Sequence, residues 1–79
     1  MIPVYGFVAG DTLGVVVMVH DHETVADLAL RLQQAAAVRV APRPRVRVVV
    51  HGLVLDRDST VKAAGLTALD RVDVIPEDT

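Results

Sequence analysis

The alternation of apolar and polar positions predicts one helix in this chain. From Thr24 onward, apolar side chains recur at helical spacing and form one stripe, made of Val25, Leu28, Ala29, Leu32 and Ala36. Thr24 precedes the stripe, and its hydroxyl can accept a hydrogen bond from the amide of Asp27. We therefore expect a helix that begins at Val25 and ends at Ala36 or Ala37. Its apolar stripe needs a sheet to pack against.

Runs of β-branched residues on both sides of the helix predict the sheet. The predicted strands are residues 4–8, 13–19, 45–51, 53–55 and 71–75. Pro42 and Pro44 make the connection from the helix to the third strand extended, and Pro76 should stop the last strand. Thr60 is predicted to cap a single helical turn over residues 61–64, with Gly65 as its left-handed end.

The second predicted strand is apolar on both faces. Its odd-numbered residues can face the helix, and Val16 and Met18 then point the other way. Strands with one side in water normally alternate polar with apolar residues. Either this strand tolerates a few exposed valines, or Val16 and Met18 contact a partner. The mean hydropathy of +0.44 favours a partner, because so short a chain has little interior to hide apolar surface.

Length and charge limit the classes of protein. Seventy-nine residues make one domain, residues 1–79, and the absence of cysteine excludes support by disulfides. A formal net charge of -2 argues against binding nucleic acid or an acidic membrane by charge alone. The longest apolar run, residues 13–19, is too short to span a bilayer, and the amino end lacks a basic leader. We expect a cytoplasmic protein.

Candidate chemistry is sparse. Residues 20–23, His-Asp-His-Glu, are the only cluster of potential metal ligands, and His51 lies elsewhere in the chain. We prefer to interpret this segment as a polar loop that leads into the capped helix. Ser59 has no evident base, and no glycine-rich phosphate loop occurs. We therefore predict no catalytic, cofactor-binding or metal-binding residue in this chain.

Four arginines without an acid occupy residues 39–47, and these are Arg39, Arg43, Arg45 and Arg47. A nucleic-acid patch here would lack aromatic residues to stack bases. The remaining interpretations are a solvated loop or a contact with an acidic protein surface.

The order of elements and several short motifs resemble the ubiquitin-like β-grasp fold. Residues 23–28 (Glu-Thr-Val-Ala-Asp-Leu) resemble the start of its helix, and residues 51–55 (His-Gly-Leu-Val-Leu) resemble its glycine turn into a short strand. Residues 58–66 resemble its late helical turn. The resemblance implies an α+β domain with a mixed sheet of four to five strands, one main helix and one short helical turn. The strand at 13–19 would then lie at the sheet edge, where an apolar strand needs covering.

Within that fold, the sequence is similar to the gamma subunit of bacterial toluene and alkene monooxygenases, which are soluble di-iron enzymes. The similar segments include Pro3-Val4, residues 40–43 (Val-Ala-Pro-Arg) and the acidic carboxyl end. The similarity implies a non-catalytic subunit that binds the large and medium hydroxylase subunits. It places the carboxylate-bridged di-iron centre in the large subunit and no cofactor in this chain. The similarity assigns no functional residue to this chain.

The alternative is a free ubiquitin-like adaptor, such as those of bacterial type VII secretion systems. Val49 and Ile75 would share the outer face of neighbouring strands and form a small patch for transient docking. Conjugation as a protein modifier is not expected, since the chain ends Pro-Glu-Asp-Thr and contains no Gly-Gly. A permanent subunit should bury more surface. The predicted partner-binding residues are Val16, Met18, Arg39, Arg43, Arg45, Arg47, Val49 and Ile75.

Overall fold

A computed structural model describes residues 1–77, in which one α-helix packs across one face of a five-stranded mixed sheet. The elements are β1 (Ile2–Val8), β2 (Val15–Val19), α1 (Val25–Ala36), β3 (Val46–Val50), β4 (Leu53–Val54) and β5 (Arg71–Pro76). The strand order is β2-β1-β5-β3-β4, with β1 and β5 parallel and every other neighbouring pair antiparallel. This confirms the predicted α+β class and the edge position of β2. The predicted tail residues Asp78 and Thr79 lie outside the described part of the chain.

The helix is held at its amino end as predicted. The Thr24 hydroxyl accepts a hydrogen bond from the Asp27 amide at 3.1 Å, and the Asp27 carboxylate accepts one from the Thr24 amide at 3.1 Å. This reciprocal pair satisfies two amide groups that the helix leaves without partners. At the other end, the amides of Arg39 and Val40 both donate to the Ala36 carbonyl, which turns the chain away. The predicted helix is confirmed.

The core lies between α1 and the sheet and consists almost entirely of aliphatic side chains. The predicted stripe of α1 is buried, together with Gln33. Gly6 of β1 lies directly under the helix, since a Cβ atom there would come within 2.7 Å of the Leu32 Cδ1 atom. The glycine therefore lets Leu32 approach the sheet. The largest fully buried side chains are Leu28, Leu32, Val4, Val19, Val25, Val61, Val72 and Val74.

Several strand boundaries differ from the prediction. β1 begins at Ile2 rather than at residue 4, and β2 begins at Val15 rather than at residue 13. Leu13 lies in the turn because the Asp11 carboxylate accepts a hydrogen bond from its amide at 3.1 Å. The prediction that β3 spans residues 45–51 was one residue too long at each end. The prediction that Pro76 stops β5 was wrong, since Pro76 pairs with Val46 inside the strand.

The connections after β3 follow the predicted turn chemistry. His51 and Gly52 have φ angles of 52° and 77°, so the β3–β4 hairpin turns through two left-handed residues. β4 ends at Val54, one residue earlier than predicted. The Thr60 hydroxyl accepts a hydrogen bond from the Ala63 amide at 3.0 Å, and Gly65 has a φ of 77°. The predicted cap and left-handed end of the late turn are therefore present.

Candidate protein-binding surface

The sheet face opposite α1, called the outer face below, is apolar along β1 and β2. Val16 and Met18 of β2 point away from the helix and are 59% and 46% exposed. The strand register places Tyr5 beside Val16 and Pro3 beside Met18. Tyr5 also contacts Phe7, with ring centroids 4.8 Å apart. We call Tyr5, Phe7, Val16 and Met18 the aromatic patch; its two aromatic members were not among the predicted site residues.

The outer face becomes charged at β5. Arg71 and Asp73 form an ion pair at 3.2 Å, and the Arg71 guanidinium lies 4.3 Å from the centroid of the Phe7 ring. Beyond them, Asp73 pairs with Val49, and Arg47 pairs with Ile75. Val49 and Ile75 therefore share the outer face as predicted, but they are half-buried diagonal neighbours with a charged residue beside each. The structure does not bring them together with Val16 and Met18.

The open edge of β2 is partly covered by the helix. The Arg31 guanidinium donates hydrogen bonds to the Met18 carbonyl and to the Glu23 carboxylate. Glu23 also accepts a hydrogen bond from the His20 amide at 2.9 Å. The His20 amide first, and then Arg31, hold the pKa of Glu23 below its ordinary value. Arg31 occupies one backbone acceptor that another strand would need, and thus limits edge-to-edge pairing.

Residues 20–23, the histidine segment, connect β2 to α1. The His20 and His22 rings stack with centroids 5.3 Å apart, and Glu23 is bound to Arg31. Within residues 1–77, no group of three or more histidine, cysteine, aspartate or glutamate side chains is placed to hold a metal ion.

Arg39, one of the four arginines in the 39–47 segment, is engaged within the chain. Its guanidinium forms an ion pair with the Asp11 carboxylate at 2.9 Å, and the Asp11 side chain is only 2% exposed. The hydrogen bond from Arg39 is the largest cause that holds the pKa of Asp11 below its ordinary value. The pair fastens the β1–β2 turn to the connection after α1. No sequence pattern predicts this ion pair, because the residues are 28 positions apart.

Gln33 fixes the arginine segment against the helix. Its side-chain amide donates to the Arg43 carbonyl at 3.2 Å and accepts from the Arg43 amide at 2.7 Å. The buried amide is thus satisfied by the backbone of the connection. A signal was available in the sequence, because Gln33 follows Ala29 by four residues and so falls on the apolar stripe of α1.

A groove of about 420 Å³ lies between α1 and β3. Its lining includes Leu30 of α1, Val46 of β3 and Val54 of β4, together with Arg43 and Arg57. Sequence patterns do not predict this concave site, since it arises where β4 is too short to cover β3. In the described part of the chain, no helix is long and apolar enough to cross a membrane.

Known structures share this fold. Ubiquitin from Caldiarchaeum subterraneum matches with a TM-score of 0.75 and 18% identity, over 99% of this chain and 95% of that chain. A chain from a structure described as "Molecular Mimicry of SUMO promotes DNA repair" matches with a TM-score of 0.74 and 23% identity, over 94% of this chain and 89% of that chain. These two likenesses confirm the ubiquitin-like β-grasp fold.

A more similar chain occurs in the structure described as "Toluene 4 monooxygenase HD Complex with Inhibitor 4-Bromobenzoate". It matches with a TM-score of 0.87 and 29% identity, over 96% of this chain and 98% of that chain. A search of curated protein sequences gave no significant match. The sequence model of the family "Toluene-4-monooxygenase system protein B (TmoB)" matches residues 1–75. Because this match spans nearly the whole sequence, the chain belongs to the toluene-4-monooxygenase system protein B family.

Proposed function

We propose that this chain is a small, non-catalytic subunit of a multicomponent monooxygenase hydroxylase. The family match over residues 1–75 carries the proposal. It is supported by the likeness, at a TM-score of 0.87, to a chain of the toluene 4-monooxygenase complex over 98% of that chain. The assembly is proposed to be cytoplasmic and to oxidise toluene, related aromatic compounds or alkenes.

The partners of this chain are proposed to be the large and medium hydroxylase subunits. The large subunit would hold the carboxylate-bridged di-iron centre, where dioxygen chemistry takes place. Residues 1–77 do not fit such a centre, because they offer no cluster of three metal-ligating side chains. We propose that the contribution of this chain is to bind and support its partner.

The aromatic patch is the proposed docking surface. It combines two exposed aliphatic side chains, Val16 and Met18, with Tyr5 and Phe7. Aromatic residues and methionine are enriched at protein interfaces, where they contribute much of the affinity. Arg43, Arg45 and Arg47 would orient the partner by charge. Val49 and Ile75 lie farther along the outer face, and Arg39 already pairs with Asp11, so all three stay predictions for this interface.

The proposal is tested by affinity purification of the tagged protein from its native cell. The co-purifying proteins are identified, and iron is assayed in the complex and in this chain alone. A stoichiometric larger partner that carries the iron is the expected result. A monomer without a partner would contradict the proposal, and recovery with secretion components would favour the adaptor alternative.

Substitutions in the aromatic patch locate the interface. The double variant Val16→Asp, Met18→Asp places two charges where apolar contact is proposed, so it should lose the partner while the chain stays folded. The control is Leu53→Asp, which introduces one such charge at an exposed apolar residue on the opposite edge strand, β4, and is compared with Val16→Asp alone as well as with the double variant. If the patch variants and the control lose the partner equally, or if all of them recover it fully, the aromatic patch is not part of the interface.

A further inference from the structure

We propose that the groove between α1 and β3 binds an extended acidic segment of a partner protein, which adds to the sheet as a strand beside β3. This inference deepens the proposed function, because it assigns a second contact to the same partner. The groove measures about 420 Å³. One of its walls is an open strand edge, and its rim is rich in arginine.

The open edge results from the shortness of β4. β4 pairs only with Val49 and Val50, and the Leu55 amide then donates to the Val48 carbonyl at 2.9 Å. After Leu55 the chain leaves β3, because the Arg57 carbonyl accepts a hydrogen bond from the Ala26 amide of α1 at 3.0 Å. The amino-terminal half of β3 therefore has no neighbouring strand on the groove side.

The register shows which backbone groups face the groove. The Glu77 amide donates to the Arg45 carbonyl, and Pro76, which has no N–H group, lies opposite Val46. In an antiparallel pair, hydrogen-bonded and non-hydrogen-bonded positions alternate, so the backbone groups of Val46 and Val48 point away from β5. The Val46 N–H, the Val46 carbonyl and the Val48 N–H have no hydrogen-bond partner among residues 1–77. They can pair with an added strand.

The charge of the groove lining indicates which kind of segment would bind there. Arg43, Arg47 and Arg57 line the groove, and none of them forms an ion pair with any of residues 1–77. Asp27 and Glu77 are the acidic residues of the lining, and the Asp27 carboxylate is bound to the Thr24 amide. The lining thus carries three arginines against two carboxylates, which leaves an excess of positive charge. An acidic segment complements this charge.

The apolar part of the groove lining indicates that apolar and acidic residues alternate in the bound segment. Leu30 of α1 and Val54 of β4 are 54% and 61% exposed, and both line the groove. Successive side chains of a strand point to opposite faces, so one side of the added strand would meet these residues. A sequence that alternates valine or leucine with glutamate or aspartate satisfies both the apolar wall and the arginines.

The test uses the isolated full-length chain and two synthetic hexapeptides, one alternating glutamate with valine and one alternating lysine with valine. Binding is followed by the backbone amide signals of the ¹⁵N-labelled chain. The glutamate peptide should shift the amides of Val46 and Val48 saturably and slow their hydrogen exchange, and the lysine peptide should not. A glutamate peptide with N-methylated backbone should bind far more weakly, because it cannot donate to the Val46 carbonyl.

Charge-reversal variants show whether Arg43 and Arg57 are responsible for binding the glutamate peptide. Arg43→Glu with Arg57→Glu should weaken binding of the glutamate peptide by about tenfold or more. Lys62→Glu, at an exposed cation outside the groove lining, is the matched control and should leave binding unchanged. The amide spectrum of the double variant shows whether it still folds. If it does not fold, Arg57→Gln alone is used instead, and it should weaken peptide binding by a smaller factor.

Several results would overturn the inference: no saturable shift at Val46 and Val48, equal binding of the lysine peptide, or shifts at the β2 edge instead. A variant ending at Glu77 that binds the glutamate peptide about tenfold more tightly would identify the chain's own acidic end as the occupant. The test needs no hydroxylase subunit. Its failure therefore leaves the co-purification result standing, and failed co-purification leaves peptide binding measurable.

Discussion

At the scale of single residues, the ion pair of Asp11 and Arg39 joins two segments that sequence patterns treat as separate. The carboxylate is enclosed, and it also accepts a hydrogen bond from the Leu13 amide. Arg39 was predicted to contact a partner because its neighbours in sequence are arginines without acids. Its observed contact is within the chain, and no local pattern encodes a contact between residues so far apart. Substitution of Arg39 should therefore affect folding first.

The pH dependence of stability tests this pair. The folded-state pKa of Asp11 lies below its ordinary value of 3.8. A lowered pKa means that ionised Asp11 stabilises the fold above that pH, and that the stabilisation is lost as the pH falls through the folded-state pKa. The Arg39→Gln variant should therefore unfold at lower urea concentration than the natural chain near neutral pH, and the difference should shrink in acid.

The control for this measurement is Arg45→Gln, at an exposed arginine with no ion pair among residues 1–77. Its urea midpoint should track that of the natural chain at every pH. A difference between Arg39→Gln and the natural chain that stays constant from about pH 2 to pH 7 would show that Arg39 acts by packing rather than by charge.

The cap of α1 at Thr24 contributes to stability. Thr24→Ala removes the acceptor of the Asp27 amide, so the free energy of unfolding should fall by about 0.5 to 2 kcal/mol. Thr24→Ser keeps the hydroxyl and should retain most of the stability, as measured by urea unfolding. If the serine variant loses as much stability as the alanine variant, the loss comes from the Thr24 methyl group rather than from the hydrogen bond of the cap.

At the scale of elements, α1 and β1 meet through the contact of Leu32 with Gly6. Gly6→Ala introduces a Cβ atom into the Leu32 side chain and should cost about 1 to 3 kcal/mol, as overpacked cores do. Leu32→Ala should cost about 2 to 5 kcal/mol, because it empties part of the core. Equilibrium unfolding of each single variant measures these losses.

The double variant gives the decisive comparison. Leu32→Ala opens the space that the new methyl group of Gly6→Ala needs, so the double variant should lose less stability than the sum of the single losses. Additive losses would mean that Gly6 is required for backbone conformation rather than for the approach of Leu32. The pair therefore measures how closely the helix lies on the sheet.

Elements were more predictable than their ends. The helix and the inward and outward faces of β2, β3 and β5 follow from periodicity, which depends on neighbours in sequence. The ends depend on pairing with distant strands. Pro3 and Pro76 look like breakers, yet each sits in a strand where its missing N–H group costs no hydrogen bond in the ladder.

For the molecule as a whole, the sequence indicated the uncovered apolar strand β2 but not the groove, which lies beside β3 toward the other edge of the sheet. The exposure of Val16 and Met18 could be predicted because both lie on a doubly apolar edge strand. The groove could not, since it depends on where β4 ends and where the chain then turns to α1. A surface formed by three distant segments has no local signature.

Charge reversal of two arginines tests how the chain assembles with its partner. Arg43 and Arg47 both line the groove, and neither forms an ion pair with any of residues 1–77, so reversing both charges removes no salt bridge from the described fold. Arg43→Glu with Arg47→Glu should therefore leave the urea midpoint of the isolated chain close to its natural value. The same variant should recover less of the larger partner in affinity purification, and added salt should weaken the natural assembly.

Lys62→Glu serves as the control for this variant, because it reverses a charge outside the groove and should assemble normally. Unchanged assembly of the arginine double variant would remove the arginine segment from the interface and leave the aromatic patch as the contact to test. A lowered urea midpoint would show instead that the arginines support the fold. Stability and assembly measured on the same variants thus separate a residue that holds the domain together from one that holds the partner.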